Sequence, residues 1–264
     1  MIDYHIHTKL CGHAQGEMEE YVEYALTQSL QEIGFADHLP MLKWAQPDYA
    51  MAFGTLPDYI SHVHRLQREY QNLPIKLGIE ADYYSPDEEQ ATQELLTQYP
   101  FDYVYGSVHF IDDWAIDDPQ YIDRWEMQDI NIAYEQYFTL LQQAARSRLF
   151  DIISHPDLAK KFGYRPTKDI SETLERTVQC CKESGVAVEI NTSGLRKPVN
   201  ELYPSPQIIQ LLKKYDIPIV LGSDAHVPED VGRDFEFART VAKDLGYTEV
   251  VIFEQRNIVG TYPL

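Results

Sequence analysis

Seven of the nine histidines stand where an apolar run of the chain gives way to polar residues: His5, His7, His13, His38, His109, His155 and His226. The opening segment Asp3-Tyr4-His5-Ile6-His7 carries two imidazoles at i and i+2, and Leu221-Gly222-Ser223-Asp224-Ala225-His226 carries a carboxylate and an imidazole with the same spacing. Residues i and i+2 of an extended chain point to one face, so each pair can converge on a single ion. Glu80, at the end of Ile75–Ile79, adds a second carboxylate in an equivalent place. Imidazole and carboxylate without thiolate suit Zn²⁺, Mn²⁺ or iron. One histidine after a strand is ordinarily just a hydrogen-bonded residue, but seven in one topological slot describe a cage for cations. His62 and His64 are the internal control: they lie inside a helical pattern and read as surface or core residues. Cys11, between His7 and His13, reads as a small buried filler, and Asp37, preceding His38, as a group that orients a ligand rather than binds metal. Tyr83, Tyr84, Tyr105 and Trp114 read as packing near the rim.

Elements must carry these residues to one place. Short apolar runs recur at Met1–Ile6, Ile33–Ala36, Ile75–Ile79, Phe101–Val108, Phe150–Ser154, Val186–Ile190 and Ile217–Leu221, each ending on a chemically marked residue. Helical periodicity separates them, near residues 19–31, 58–72, 88–97, 128–147, 169–184, 205 onward and 234–245. Ser205-Pro206 predicts a helix start with the hydroxyl as cap and proline in the first turn. Two long segments, Leu39–Thr55 and Phe110–Trp125, read as loops, the first a lid or binding loop. A last apolar run, Val250–Phe253, follows the final helix. Strands alternating with helices imply parallel pairing and right-handed crossovers. An open doubly wound sheet gathers ligands at one switch point, whereas here nearly every strand end is marked. The expected fold is therefore an α/β barrel, distorted and seven-stranded, with its site on the C-terminal rim of the strands.

No linker or low-complexity tract divides the 264 residues, so one domain over 1–264 is expected. A formal net charge of −20 argues against nucleic acid or an anionic membrane as partner. Cys11, Cys180 and Cys181 make no disulfide framework, and no run is long enough to span a membrane, which together suit a cytoplasmic protein.

The motifs His5-x-His7, His13, Asp37-His38, Gly78-Ile79-Glu80, Ser107-Val108-His109, Ser154-His155-Pro156 and Gly222–His226 resemble those of the polymerase-and-histidinol-phosphatase (PHP) family, from the first strand to the last. Asn191–Arg196, Phe162–Pro166 and Ser107–Phe110 look like its histidinol-phosphate phosphatase branch. The resemblance implies a distorted seven-stranded barrel and three divalent ions, drawn from zinc, manganese and iron. One would be held by His5, His7, Glu80 and Asp224, a second by bridging Glu80 with His109 and His155, a third by His13, His38 and His226.

Three divalent ions against two carboxylates would make a positive centre inside an acidic protein, able to draw in a small phosphate monoester. Arg165 and Arg196, each after a strand end, are expected to clamp its oxygens and help in catalysis. The expected reaction is direct hydrolysis by a hydroxide bridging the ions, whose water pKa falls to roughly 7. Asp224 or His226 would assist the proton reaching the leaving alkoxide. The resemblance implies L-histidinol phosphate as substrate, its amine facing an acid such as Asp82, Asp112 or Glu189. Two other readings fit less of the chain: another PHP phosphoesterase, acting on phosphotyrosine or a sugar phosphate, and an amidohydrolase-type barrel, which leaves His13, His38 and His226 unexplained.

Overall fold

The structure is a computed structural model that describes residues 1–43 and 49–264. The chain runs β1 (Ile2–Ile6), α1 (Met18–Thr27), β2 (Glu32–Phe35), α2 (Leu56–Glu69), β3 (Ile75–Asp82), α3 (Glu89–Leu96) and β4 (Tyr103–Ser107). A small hairpin, β5 (Phe110–Ile111) and β6 (Trp114–Ala115), leads into α4 (Arg124–Met127) and α5 (Ile130–Ser147). The alternation then resumes with β7 (Ile152–Ile153), α6 (Ser171–Ser184), β8 (Ala187–Asn191), α7 (Pro206–Lys214), β9 (Ile219–Gly222) and α8 (Phe235–Asp244). A hairpin of β10 (Glu249–Glu254) and β11 (Asn257–Pro263) ends the chain.

Strands β1, β2, β3, β4, β7, β8 and β9 pair in parallel in that order. The first and last meet at one bridge: the His7 N–H donates to the Ala225 carbonyl (2.9 Å) and the Ala225 N–H to the His5 carbonyl (3.1 Å). The sheet is thus a nearly closed seven-stranded barrel, the architecture expected from the alternation. Closure matters for the site because it brings His5 and His7 beside Asp224, more than 200 residues away in sequence.

Each helix lays one apolar stripe on the barrel. On α2 this is Leu56, Tyr59, Ile60, Val63 and Leu66, the three-and-four spacing of a buried helical face. Inside the barrel, Tyr4, Ala36, Tyr103, Tyr105, Ile152, Ala187 and Val220 form a separate core layer. The Tyr103 ring occupies the space that side chains at Gly34 and Gly78 would need, which is why neighbouring strands carry glycine there. The terminal hairpin presses Val251 and Phe253 onto this layer and covers the N-terminal mouth.

Local expectations differ in three places. The Ser205 hydroxyl makes no capping bond at α7; instead the Ser205 N–H donates to Asp157 Oδ2 at 2.8 Å. The segment Phe110–Trp125, expected as a loop, holds the β5–β6 hairpin and the start of α4, elements too short for periodicity to reveal. In Leu39–Thr55, residues 44–48 lie outside the described residues, while Met41 and Ala50 pack on Tyr84 and Phe110. Among the described residues no helix is long and apolar enough to cross a membrane.

Candidate metal centre

The strand ends deliver their polar residues to one side of the barrel, and Glu80 stands at their centre. Five imidazoles surround its two oxygens. His38 Nδ1 and His5 Nε2 lie 3.1 and 3.4 Å from Oε2, and His155 Nε2 and His109 Nε2 lie 3.1 and 3.9 Å from Oε1. His7 Nε2 is 3.5 Å from Glu80 Oε2 and 3.1 Å from Asp224 Oδ1, joining the two carboxylates. His226 and His13 complete the outer edge, their Nε2 atoms 3.0 Å apart. All nine residues singled out as ligands therefore fall within one cluster, most of it buried; His62 and His64 stay outside it, on α2.

Partners behind the rings determine which nitrogen faces inward. His5 Nδ1 donates to Glu189 Oε1 (2.7 Å) and His109 Nδ1 to Asp82 Oδ1 (2.7 Å), so each ring turns its Nε2 towards Glu80. Glu189 also accepts from the His155 N–H (2.9 Å) and from Asn191 (3.0 Å). It reaches His5 only because residue 222 is glycine, where a Cβ would collide with its carboxylate. Asp37 accepts from Thr8 and from the His38 N–H (2.9 Å) and stands 3.4 Å from His7 Nδ1, the orienting place expected of it. Ser107 donates to Glu80 from beneath, and Ser193 Oγ to Asp224 Oδ2 at 3.0 Å.

These contacts leave part of the cluster without hydrogen-bond partners. Buried His5 Nε2 and both nitrogens of His7 have no hydrogen-bond partner. His13 and His226 each use Nδ1 towards a backbone carbonyl, of Cys11 and Asp224 (3.1 Å each), which leaves their Nε2 atoms facing one another. Burial disfavours ionised Glu80, yet His5 and His38 outweigh it and hold the carboxyl well below its usual range. Asp224 behaves likewise, burial being overcome by His5 and His7. Burial keeps His38 and His226 well below the usual imidazole range, the neutral form that binds metal. Imidazole nitrogens and carboxylates converging in a buried space fit divalent cations, and several of those nitrogens lack a hydrogen-bond partner. Two backbones here are also left-handed without glycine, Asp224 at φ 54° and His155 at φ 20°, a strain that clusters at functional sites.

The cluster forms the floor of a cavity of about 660 Å³. Its walls include Lys161 and Lys197 but not the arginines expected to clamp phosphate. Arg165 is half-exposed and paired with Glu201 at 2.6 Å. Arg196 donates to the Ser223 carbonyl (2.6 Å) and pairs with Asp230 (3.2 Å), while its buried Nη1 keeps a donor without a hydrogen-bond partner. The acids expected near a substrate amine are either paired already or exposed away from the cavity. Asp82 and Glu189 are occupied by His109 and His5, and Asp112 is exposed between β5 and β6. Sequence reasoning passed over Lys161 and Lys197, each close in sequence to an arginine that was chosen, and Asp117 and Asp118 on the facing wall.

The PHP domain model matches residues 3–193, and the PHP-associated model residues 206–246. A Deinococcus radiodurans protein described as a probable histidinol-phosphatase is 38% identical over 259 residues, covering 98% of each chain. The histidinol-phosphatase of Bacillus subtilis is 31% identical over 262 residues, covering 89% of this chain and 96% of its own. A crystal structure of histidinol phosphate phosphatase from Lactococcus lactis, complexed with zinc, L-histidinol and phosphate, superposes with a TM-score of 0.83 at 23% identity. That superposition covers 97% of this chain and 98% of the other.

Proposed function

This chain belongs to the PHP domain family, and we propose that it is a metal-dependent phosphomonoesterase that hydrolyses L-histidinol phosphate to L-histidinol and inorganic phosphate. The observation that carries the reading is the ring of imidazoles about Glu80, with inward nitrogens that lack hydrogen-bond partners inside the protein. The substrate comes from the histidinol-phosphatases that the chain matches over most of its length.

His5, His7, Glu80 and Asp224 would hold one divalent ion. Glu80, shared, would hold a second with His109 and His155, and His13, His38 and His226 a third. Zinc, manganese and iron all suit such nitrogen and oxygen donors. When bound, these ions supply Lewis-acid charge neutralisation and water activated near neutral pH.

The chain's own groups do the rest. Lys161 and Lys197 bring positive charge to the cavity wall and draw the phosphate dianion inward. Arg196 holds the Ser223 carbonyl, and hence the turn bearing Asp224. Glu189 and Asp82 keep His5 and His109 in the tautomer and orientation that ligation needs, and the Asp37 carboxylate stands behind His7. Asp224 and His226, both on the cavity wall, are the groups placed to relay the proton that the leaving alkoxide takes up. No serine or cysteine nucleophile is required.

Phosphate release from L-histidinol phosphate, measured with metal content before and after exhaustive chelation, tests the reading. Turnover should vanish with the ions and return with zinc or manganese. A chelated protein that kept its full rate would sink the proposal, as would a metal-replete one that released no phosphate.

A further inference from the structure

We propose that Asp118 reads the cationic end of the substrate, so that the outer wall of the cavity selects phosphate monoesters bearing an ammonium or imidazolium group over neutral ones. The inference rests on the phosphomonoesterase reading above and concerns the wall away from the reacting phosphate. The carboxylates on that cavity differ in what they face. Glu80 and Asp224 face the imidazole cluster, Asp82 faces His109, and Asp117 lies 3.0 Å from Lys161. Among the described residues, Asp118 has no cation within ion-pair distance.

Its partners are neutral. Asp118 Oδ1 accepts the Gln120 N–H at 2.7 Å, which caps the turn Pro119–Tyr121, and Oδ2 accepts the Tyr49 hydroxyl. Two neutral donors fix the carboxylate without cancelling its charge, and an ionised carboxyl accepts further hydrogen bonds. Aromatic rings share the same wall. Tyr49 meets Phe110 edge-on, with centroids 5.9 Å apart, and Tyr84 packs against Phe110 at 5.8 Å. Tyr121, from the capped turn, is 41% exposed and lines the cavity. A held carboxylate flanked by aromatic rings is the chemistry that receives an amine or a cationic heterocycle. With Lys161 and Lys197 on the same cavity, the charges suit a molecule that is anionic at one end and cationic at the other.

The metal-loaded protein and its D118N variant test this, since the amide oxygen still accepts the Gln120 N–H and its NH₂ can donate to a rotated Tyr49 hydroxyl. The readout is the ratio of kcat/KM for L-histidinol phosphate to that for p-nitrophenyl phosphate. We expect the ratio to fall by about tenfold or more, mostly through KM, as loss of a charge-assisted hydrogen bond predicts. Inhibition by L-histidinol should weaken relative to inhibition by inorganic phosphate. Y121L, which leaves the Asp118 turn untouched, should lower the ratio by a few-fold and serves if D118N folds poorly. An unchanged ratio in both variants, with both esters slowed alike, overturns the proposal. If the wild type hydrolyses other esters but not L-histidinol phosphate, the substrate reading fails instead. O-phosphoethanolamine against p-nitrophenyl phosphate then tests Asp118 with the same expected ratio.

Discussion

The two mouths of the barrel are built from the same strands and treat their polar groups in opposite ways. At the N-terminal mouth, Tyr103 stacks on Tyr4 (4.8 Å, 19°) and donates its hydroxyl to the Tyr4 carbonyl at 2.7 Å. The Tyr4 hydroxyl bonds Glu32 and receives the Phe253 N–H at 3.3 Å. Arg256 ties the terminal hairpin to Asp151 at 2.8 Å and to the Leu149 carbonyl. At the C-terminal mouth, imidazole nitrogens face carboxylates and each other, several without a hydrogen-bond partner. Tyr105 lies between the layers, its ring stacked on His5 at 4.6 Å. One end is therefore complete as protein, and the other becomes complete only with cations. The fold carries the desolvation of the upper cluster because closure and tyrosine packing below hold the strands in place.

The difference predicts that substitutions will separate by mouth. Glu80→Gln removes the carboxylate common to the cluster. It should lower turnover on the order of a thousandfold and reduce bound metal, with the folded circular dichroism spectrum retained. Near-normal metal content and turnover would erase the contrast. Tyr103→Ala empties the lower layer and should cost about 3–5 kcal/mol in denaturant unfolding. Saturated turnover of the molecules that stay folded should remain within about threefold of wild type, about 0.65 kcal/mol by rate arithmetic. If turnover fell as far as in the Glu80 variant, the two mouths would be one cooperative unit.

Arg256→Ala gives the smallest effect, about 1–2 kcal/mol at pH 7, and its sign with pH is a sharper check. Burial raises the Asp151 carboxyl above its ordinary 3.8, and Arg256 pulls it partly back by favouring the ionised form. An acid with a raised folded pKa loses stability as pH rises from its unfolded value through its folded one. Removing Arg256 deepens that loss, so the penalty should be larger at pH 7 than below the ordinary 3.8. Denaturation at both pH values decides it. An equal penalty would mean that Arg256 acts through the Leu149 carbonyl and packing alone.

Most of the upper mouth was legible from residue order. His5, His7, His38, Glu80, His109, His155 and Asp224 were readable because each closes an apolar run, and a parallel barrel places all such ends on one rim. Glu189 was legible as a rim residue but misassigned to substrate. The lower mouth was nearly silent: Val250–Phe253 reads as one more strand, and nothing in it says that it turns back as β11 and lies across the barrel. In the loops, proximity misled. Arg165 stands four residues from Lys161, and Arg196 beside Lys197, yet in each case the lysine lines the cavity.

By itself, then, the sequence determined the alternation, the number of parallel strands and which residues crown them, since these follow from local periodicity. Only the tertiary structure decided which cations and acids face the cavity, which imidazole nitrogen faces Glu80, and what closes the far end. Those outcomes depend on barrel closure and on loop paths that bring distant residues within 3–4 Å, and no repeat along a single strand encodes such distances.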